Sequence, residues 1–398
     1  MDTMISNNIP YEQSVMTFSL NPLILDLSYI YCIREEDEKI IVDKSKNNNM
    51  LTTLIFGRNA MTSESTFNIL NMAKNKPLKT LIFDHSKPDT RMISSFNIIG
   101  KKSFDIIVYI LTNSMMLTTL HLIDCNIHYG IIKCLVLGVK NNKVLTTLDL
   151  SRNNINSGLD QLFDILNSTI IEKLNLSYNI IHSEIDNLSI ALESNNTLKY
   201  LDLSNNHINI ITNNTLFVAL KINTTLEYLD LSNNVRDGWY NNMNGIILLC
   251  ETLTTNKSLK TLNLKNNNLD ITDELNLIKS ITCNTTLTAL YFEEWQGLNG
   301  YGYKDEIIMY LENNYIIREL TTSGGDIYIE NILKRNNNLY QNTFWSKSMH
   351  CEFSPEMHSL VIALYLMNGE FTVVLPHMVL NYILQFFKIG SFGTILKC

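Results

Sequence analysis

Eight histidines, seven cysteines and 39 carboxylates are the side chains through which this 398-residue chain would do chemistry. Their spacing builds none of the familiar sites. His85, His121, His128, His182 and His207 fall in no H-E-x-x-H or H-x-x-x-H arrangement, so no helix face offers paired imidazoles to a metal. No G-x-S-x-G and no Cys-His pairing marks a nucleophile. Cys32, Cys125, Cys134, Cys250, Cys283, Cys351 and Cys398 are scattered and odd in number, without a C-x-x-C pair. That is the pattern of reduced, mostly buried thiols. Gly297, Gly300 and Gly302 lie between a strand and a helical stretch, the setting of a phosphate loop, but neither G-K-[ST] nor G-x-G-x-x-G occurs there. The reading is of a protein that is not an enzyme. It has no catalytic residues, metal, cofactor or small-molecule substrate.

Composition narrows the class further. The chain is 45% hydrophobic and 18% charged, enough apolar material for a core. A net charge of -8 argues against a nucleic-acid binder, which needs a positive field. Arg34 is the first basic residue, so no charged segment precedes an apolar one as a secretory signal would require. No apolar run approaches the ~18 residues of a membrane span, and no membrane partner is expected. The expected location is a reducing compartment, the cytoplasm of the protein's own cell or of a host. About 50 residues are asparagine, a bias read here as the mark of an AT-rich genome rather than of function.

What the chain does show is a repeat, L-x-x-L-x-L-x-x-N. It stands at Leu145, Leu148, Leu150 and Asn153, and again from Leu198, Leu226 and Leu259. Ile171, Leu174, Leu176 and Asn179 carry it with one conservative change, and Leu117, Leu120, Leu122 and Cys125 with Cys at the Asn position. Weaker copies begin at Leu51, Leu78, Leu287 and Ile317, for about ten units. Leu145 to Ile171 is 26 residues, Ile171 to Leu198 is 27 and Leu198 to Leu226 is 28. The last two Leu of the motif sit two apart and therefore on one face of a short strand. The Asn side chain can bond backbone groups where the chain leaves that strand. Helical spacing follows, as at Leu216, Phe217 and Leu220, or at Leu275, Ile278 and Ile281.

This pattern, over roughly residues 51–345, resembles the leucine-rich repeat proteins of the ribonuclease-inhibitor-like subclass. The resemblance implies an α/β solenoid, a horseshoe of about ten repeats with a parallel β inner wall and helices outside. Residues 1–50 then read as an N-terminal cap, including a degenerate strand at 22–27 and an acidic turn of Glu35, Glu36, Asp37 and Glu38. Residues 346–398 read as a helical C-terminal cap. The residues between the strand leucines would face a partner across the concave wall: Asp149, Asn175, Tyr200, Asp202, Tyr228, Asp230, Asn263 and Tyr291. An acidic, tyrosine-lined wall suits a basic or mixed protein surface.

Three irregular stretches interrupt the period. Long intervals after Asn234 and Phe292 bring Trp239, Tyr240, Trp295, Tyr301 and Tyr303, read as an aromatic edge patch that docks a protein. The 39-residue interval from Leu78 to Leu117 reads as a solvated basic loop including Arg91, Lys101 and Lys102. In the tail, Leu375, Pro376, Val379, Leu380, Ile383, Leu384, Phe386 and Phe387 resemble the opening helix of an F-box and are also similar to part of a SOCS box. Either resemblance implies a cullin adaptor as partner and a role in delivering substrates to a ubiquitin ligase. The same segment serves equally as the cap that a solenoid end requires. The repeat class also includes the activator of Ran GTPase, and Arg58, Arg152 and Arg236 fall just after strands, where a GTPase could be touched. Protein is thus the expected partner class in each reading.

Overall fold

The computed structural model describes residues 22–28, 30, 32–57, 61–86, 99–181, 185–210, 214–234, 244–292, 303–312, 314–320 and 327–341. Within them strand and helix alternate throughout, as in a leucine-rich repeat solenoid. The chain divides into two compact units. The first comprises 1–209 and 225–236, the second 210–224 and 237–398.

The first unit holds β1 (Ile24–Asp26), β2 (Thr53–Phe56), β3 (Thr80–Asp84), β4 (Thr119–Ile123), β5 (Thr147–Asp149), β6 (Lys173–Asn175), β7 (Tyr200–Asp202) and β8 (Tyr228–Asp230). Each strand pairs in parallel with the next. Its helices are α1 (Glu35–Lys46), α2 (Ser63–Ala73), α3 (Lys101–Asn113), α4 (Tyr129–Asn141), α5 (Leu159–Leu166) and α6 (Ile185–Ser194). The second unit holds α7 (Thr215–Ile222), α8 (Asn244–Thr255), α9 (Ile271–Ile281), α10 (Tyr303–Glu312) and α11 (Ile327–Gln341). Its strands β9 (Thr261–Asn263), β10 (Ala289–Tyr291) and β11 (Glu319–Leu320) are again parallel neighbours in sequence order.

The repeating leucines stand in register. Leu54, Leu81, Leu120, Leu148, Leu174, Leu201 and Leu229 are Cα partners along the first unit, each with no exposed surface. Each such burial contributes about 1.5–3 kcal/mol. Where Phe replaces the second strand Leu, Phe56 and Phe83 stack with centroids 4.3 Å apart, so the wider side chain is accommodated as a pair. In the second unit Leu262 and Leu290 keep the same register, fully buried.

Two sequence expectations change here. The acidic run Glu35 to Glu38 is the first turn of α1 rather than a turn. Carboxylates there meet the positive end of the helix dipole, and the Asp37 carboxylate accepts the Arg34 N–H at 3.0 Å. Lys101 and Lys102, read as part of a loop, open α3, whose Phe104, Ile107 and Ile110 are buried at helical spacing. Apolar periodicity outweighs the polar start.

Candidate functional site

Strand residues between the leucines form two rows on the sheet face away from the helices. Strand register in the first unit puts Thr147, Lys173, Tyr200 and Tyr228 side by side in one row. It puts Asp149, Asn175, Asp202 and Asp230 side by side in the next. Neighbouring strands lie about 4.8 Å apart. The Tyr200 and Tyr228 rings stack at 4.2 Å with 9° between their planes. The Tyr228 hydroxyl donates to an Asp230 carboxylate oxygen at 3.2 Å. Further along, Asn175 Nδ2 donates to Asp149 at 3.0 Å.

Each acid also organises its own turn. Asp149, Asp202 and Asp230 accept the backbone N–H of Ser151, Ser204 and Ser232 at 2.9, 2.9 and 2.8 Å. The acids are therefore held upright through one oxygen, while the second oxygen of Asp149 accepts from Asn175 and that of Asp230 from Tyr228. Burial pushes the Asp202 carboxyl above its ordinary value; the Ser204 hydrogen bonds oppose this and the charges of Asp230 and Asp149 add to it. Burial likewise raises the Tyr200 phenol, with Asp202 next, and the Tyr228 phenol, with Asp230 next. The result is a crowded anionic surface with a neutral aromatic ledge beside it.

Asn263 and Tyr291 lie in the second unit, paired across β9 and β10. Tyr291 donates to the Glu319 carboxylate, and Lys265 sits 5.5 Å from its ring centroid. Burial, and then that bond, push the Tyr291 phenol up to about 12. Trp239, Tyr240, Trp295 and Tyr301, and every tail residue from Leu375 to Phe387 named above, lie outside the described residues. So do Arg58, Arg91 and Arg236. The backbone of Tyr303 opens α10.

Two features of the first unit were missed in the sequence. The carboxylate row continues toward β2 as His121, Ile82 and Ile55, with Ile123 two residues beyond His121 on β4. These aliphatic side chains are half-buried on a face where the later strands carry acids. The offset that identified Asp149 applied equally to them, so the signal was present. The second feature is a groove of about 510 Å³ at the exit of the strands, lined by residues including Arg152, Tyr178, Asn205 and His207. The Arg152 guanidinium lies 3.9 Å from the Tyr178 ring centroid, a cation–π contact. Arg152, Tyr178, Asn205 and Asn233 all adopt left-handed backbone with φ between 55 and 62°. No pattern of residue types announces this at Arg152 or Tyr178, because the repeat rather than the residue imposes the conformation.

Among the described residues no cluster of His, Cys, Asp or Glu is arranged to hold a metal, and no helix is long and apolar enough to cross a membrane.

A family model described as a leucine-rich repeat matches residues 141–158, 194–209 and 223–235. No curated protein matches. Among solved structures, the chain is similar to the leucine-rich repeat-containing protein LegL7 from Legionella pneumophila. Identity there is 21%, over 76% of this chain and 96% of that one, with a TM-score of 0.46. It is also similar to the C-terminal domain of a Caenorhabditis elegans tropomodulin, at 17% identity over 40% of this chain and 96% of that one, TM-score 0.32. A third is actin-binding site 2 of leiomodin-1, at 24% identity over 35% and 82%, TM-score 0.31. The recurring units and their in-register leucines give the chain the architecture of a leucine-rich repeat solenoid. That fold generally serves as a non-enzymatic scaffold for protein partners.

Proposed function

We propose that the chain is a non-enzymatic, intracellular scaffold that binds a protein across the strand face of its first unit. The observation that carries this is the Tyr200–Tyr228 stack beside Asp149, Asp202 and Asp230. Tyrosines supply large contact area at low entropic cost, and the upright acids supply polarity at a fixed spacing. Asn263 and Tyr291 offer similar chemistry in the second unit, and Trp239, Tyr240, Trp295, Tyr301 and Tyr303 are candidate edge contacts in the same reading. The five described cysteines, Cys32, Cys125, Cys134, Cys250 and Cys283, form no disulfide, which suits a reducing compartment. The ribonuclease-inhibitor-like subclass is the affiliation that a strand and a helix in every unit favours. The division into a cap at 1–50, an array at 51–345 and a helical cap at 346–398 belongs to the same proposal.

The test uses a photo-crosslinking amino acid at Thr147 or Tyr200 on the strand face, and at Leu137 or Ile190 on exposed helix faces. Crosslinks to a partner from the first pair alone support the reading. Crosslinks from the helix positions alone overturn it.

A second reading rests on the tail. The match of Leu375, Pro376, Val379, Leu380, Ile383, Leu384 and Phe387 to an F-box opening helix favours recruitment of a cullin adaptor. The repeats would then take the substrate. Co-purification with a cullin adaptor, abolished by Leu380→Asp with Ile383→Asp, is the expected result; a tail-deleted chain that retains the adaptor would end this reading. GTPase activation has no comparable support, since Arg152 lies on a tyrosine ring rather than free to reach a nucleotide.

A further inference from the structure

The strand face of the first unit is divided along its length. Toward β2 it presents half-buried Ile55, Ile82 and Ile123. From β5 onward it presents half-buried Asp149 and Asp202, with the more deeply buried Asp230 under Tyr228 on β8 and Lys173 beside Tyr200 in the neighbouring row as the cation on that stretch. Asp149 and Asp202 appear in no ion pair among the described residues. Three carboxylates against one ammonium leave this stretch anionic, while Ile55 and Ile82 carry no charge in the row; Asp26 follows Ile55 on β1 and Asp84 stands beside Ile123, so acids also flank the aliphatic stretch.

Spacing selects what can lie across such a face. Successive strands are about 4.8 Å apart, and one turn of α-helix rises 5.4 Å. A helix laid across the strands therefore offers roughly one side chain to each strand. An extended chain offers one same-side residue only every ~6.6 Å and falls out of step by the second strand. From Ile55 to Asp230 is six strand steps, about 29 Å, or roughly 19 residues of helix.

Resting on the scaffold reading above, we infer that the occupant is a single amphipathic α-helix of a partner protein, aliphatic at one end of its contact stripe and basic at the other. Aliphatic residues at i and i+4 meet Ile55 and Ile82. Lys or Arg at i+11 and i+15 meet Asp149 and Asp202, and one at i+18 lies over Tyr228 and the Asp230 carboxylate beneath it. Those five positions stay within about 60° of one another around a helix and fall within ~3 Å of their strands along it. The Tyr200–Tyr228 ledge borders the basic end, where ring faces add cation–π attraction for the same side chains.

The experiment uses the full chain and three synthetic helical peptides of about 21 residues, labelled with fluorescein and titrated by anisotropy. The first carries Leu at i and i+4 and Lys at i+11, i+15 and i+18 on an Ala/Gln background. The second has the same composition with Leu and Lys interleaved along the stripe. The third has Glu for Lys. The first should bind at least tenfold tighter than either other, with affinity falling as salt is raised. The double variant Asp149→Asn, Asp202→Asn keeps acceptors for the Ser151 and Ser204 N–H groups, so folding is preserved. It should lose at least tenfold for the first peptide, and Ile82→Glu should weaken the same peptide at the other end. Equal affinity for the first and second peptides, or no change in the double variant, overturns the inference. If strand-face crosslinks to a natural partner persist while the peptides fail, only the helix pattern is lost. If those crosslinks are absent too, the scaffold reading falls with it.

Discussion

At the scale of single residues, the acids of the strand face trade stability for a surface. Like charges about 5 Å apart repel by a little under ~1 kcal/mol in water. Asp202→Asn should therefore raise stability at pH 7 by up to ~1 kcal/mol, since Asn still accepts the Ser204 N–H. The sign with pH follows from the raised folded value of this carboxyl: its stabilising contribution is complete only below the unfolded value of 3.8 and is lost as pH rises through the folded one. The advantage of the variant should shrink as pH drops toward 4. Urea melts at both pH values measure it, and a variant no more stable than its parent at pH 7 refutes the argument. Thiols give a second expectation. Cys134 and Cys283 are exposed, whereas Cys125 is buried and burial pushes Cys250 up to about 11. Brief iodoacetamide treatment at pH 8, read by peptide mass spectrometry, should label the first two and spare the second two. Early labelling of Cys250 would contradict this. The wall positions themselves were legible, because a two-residue strand period assigns every alternate side chain to one face. The electrostatics of Asp202 were not, because they depend on which acids become neighbours.

At the scale of elements, the asparagines are more than a compositional accident. Asn153, Asn179, Asn206 and Asn234 are buried, and each Nδ2 donates to carbonyls of its own unit and of the one before. A second set serves the other end of each strand. Asn142 and Asn195 donate to Leu111 O and Leu166 O in the first unit, and Asn256, Asn284 and Asn314 do the same for helix carbonyls in the second. Their Oδ1 atoms accept the N–H groups that lead into the next strand, as from Leu145 and Leu198. This second role was written in the sequence as N-x-x-L, but only the first was read there. A genome bias explains many exposed asparagines and none of these. Asn206→Ala removes one of two donors from each of the Leu176, Leu203 and Ser204 carbonyls and takes the acceptor from the Ile181 N–H, and should cost about 1–3 kcal/mol, whereas Asn196→Ala on the surface should stay within ~0.5 kcal/mol. Chemical denaturation of the two variants checks the contrast, and similar losses would deny the ladder its role. Helices were equally readable where apolar spacing was clean, as in α7 and α9, and misread where polar residues led, as at Lys101.

At the scale of the whole molecule, a period of 26 to 28 residues was enough to foresee the alternation of strand and helix. What the period does not encode is the partner, since any polar residue satisfies the solvent face of a strand. Partner capture with the intact chain and with residues 346–398 removed should therefore separate two sets of proteins, those held by the repeats and those held by the tail. Complete loss of both sets on tail removal would argue against binding by the repeats. Within the first unit the asparagine ladder has a sense of direction. Asn153 Oδ1 holds the amides of Cys125 and Ile127, one coil upstream, while Ile155 in its own coil is held by Asn179. Damage at one rung is thus felt by the preceding rung. With Asn153→Ala, amide hydrogen exchange should quicken at Cys125 and Ile127 and remain slow at Ile155, so that a lesion travels backward along the chain rather than forward.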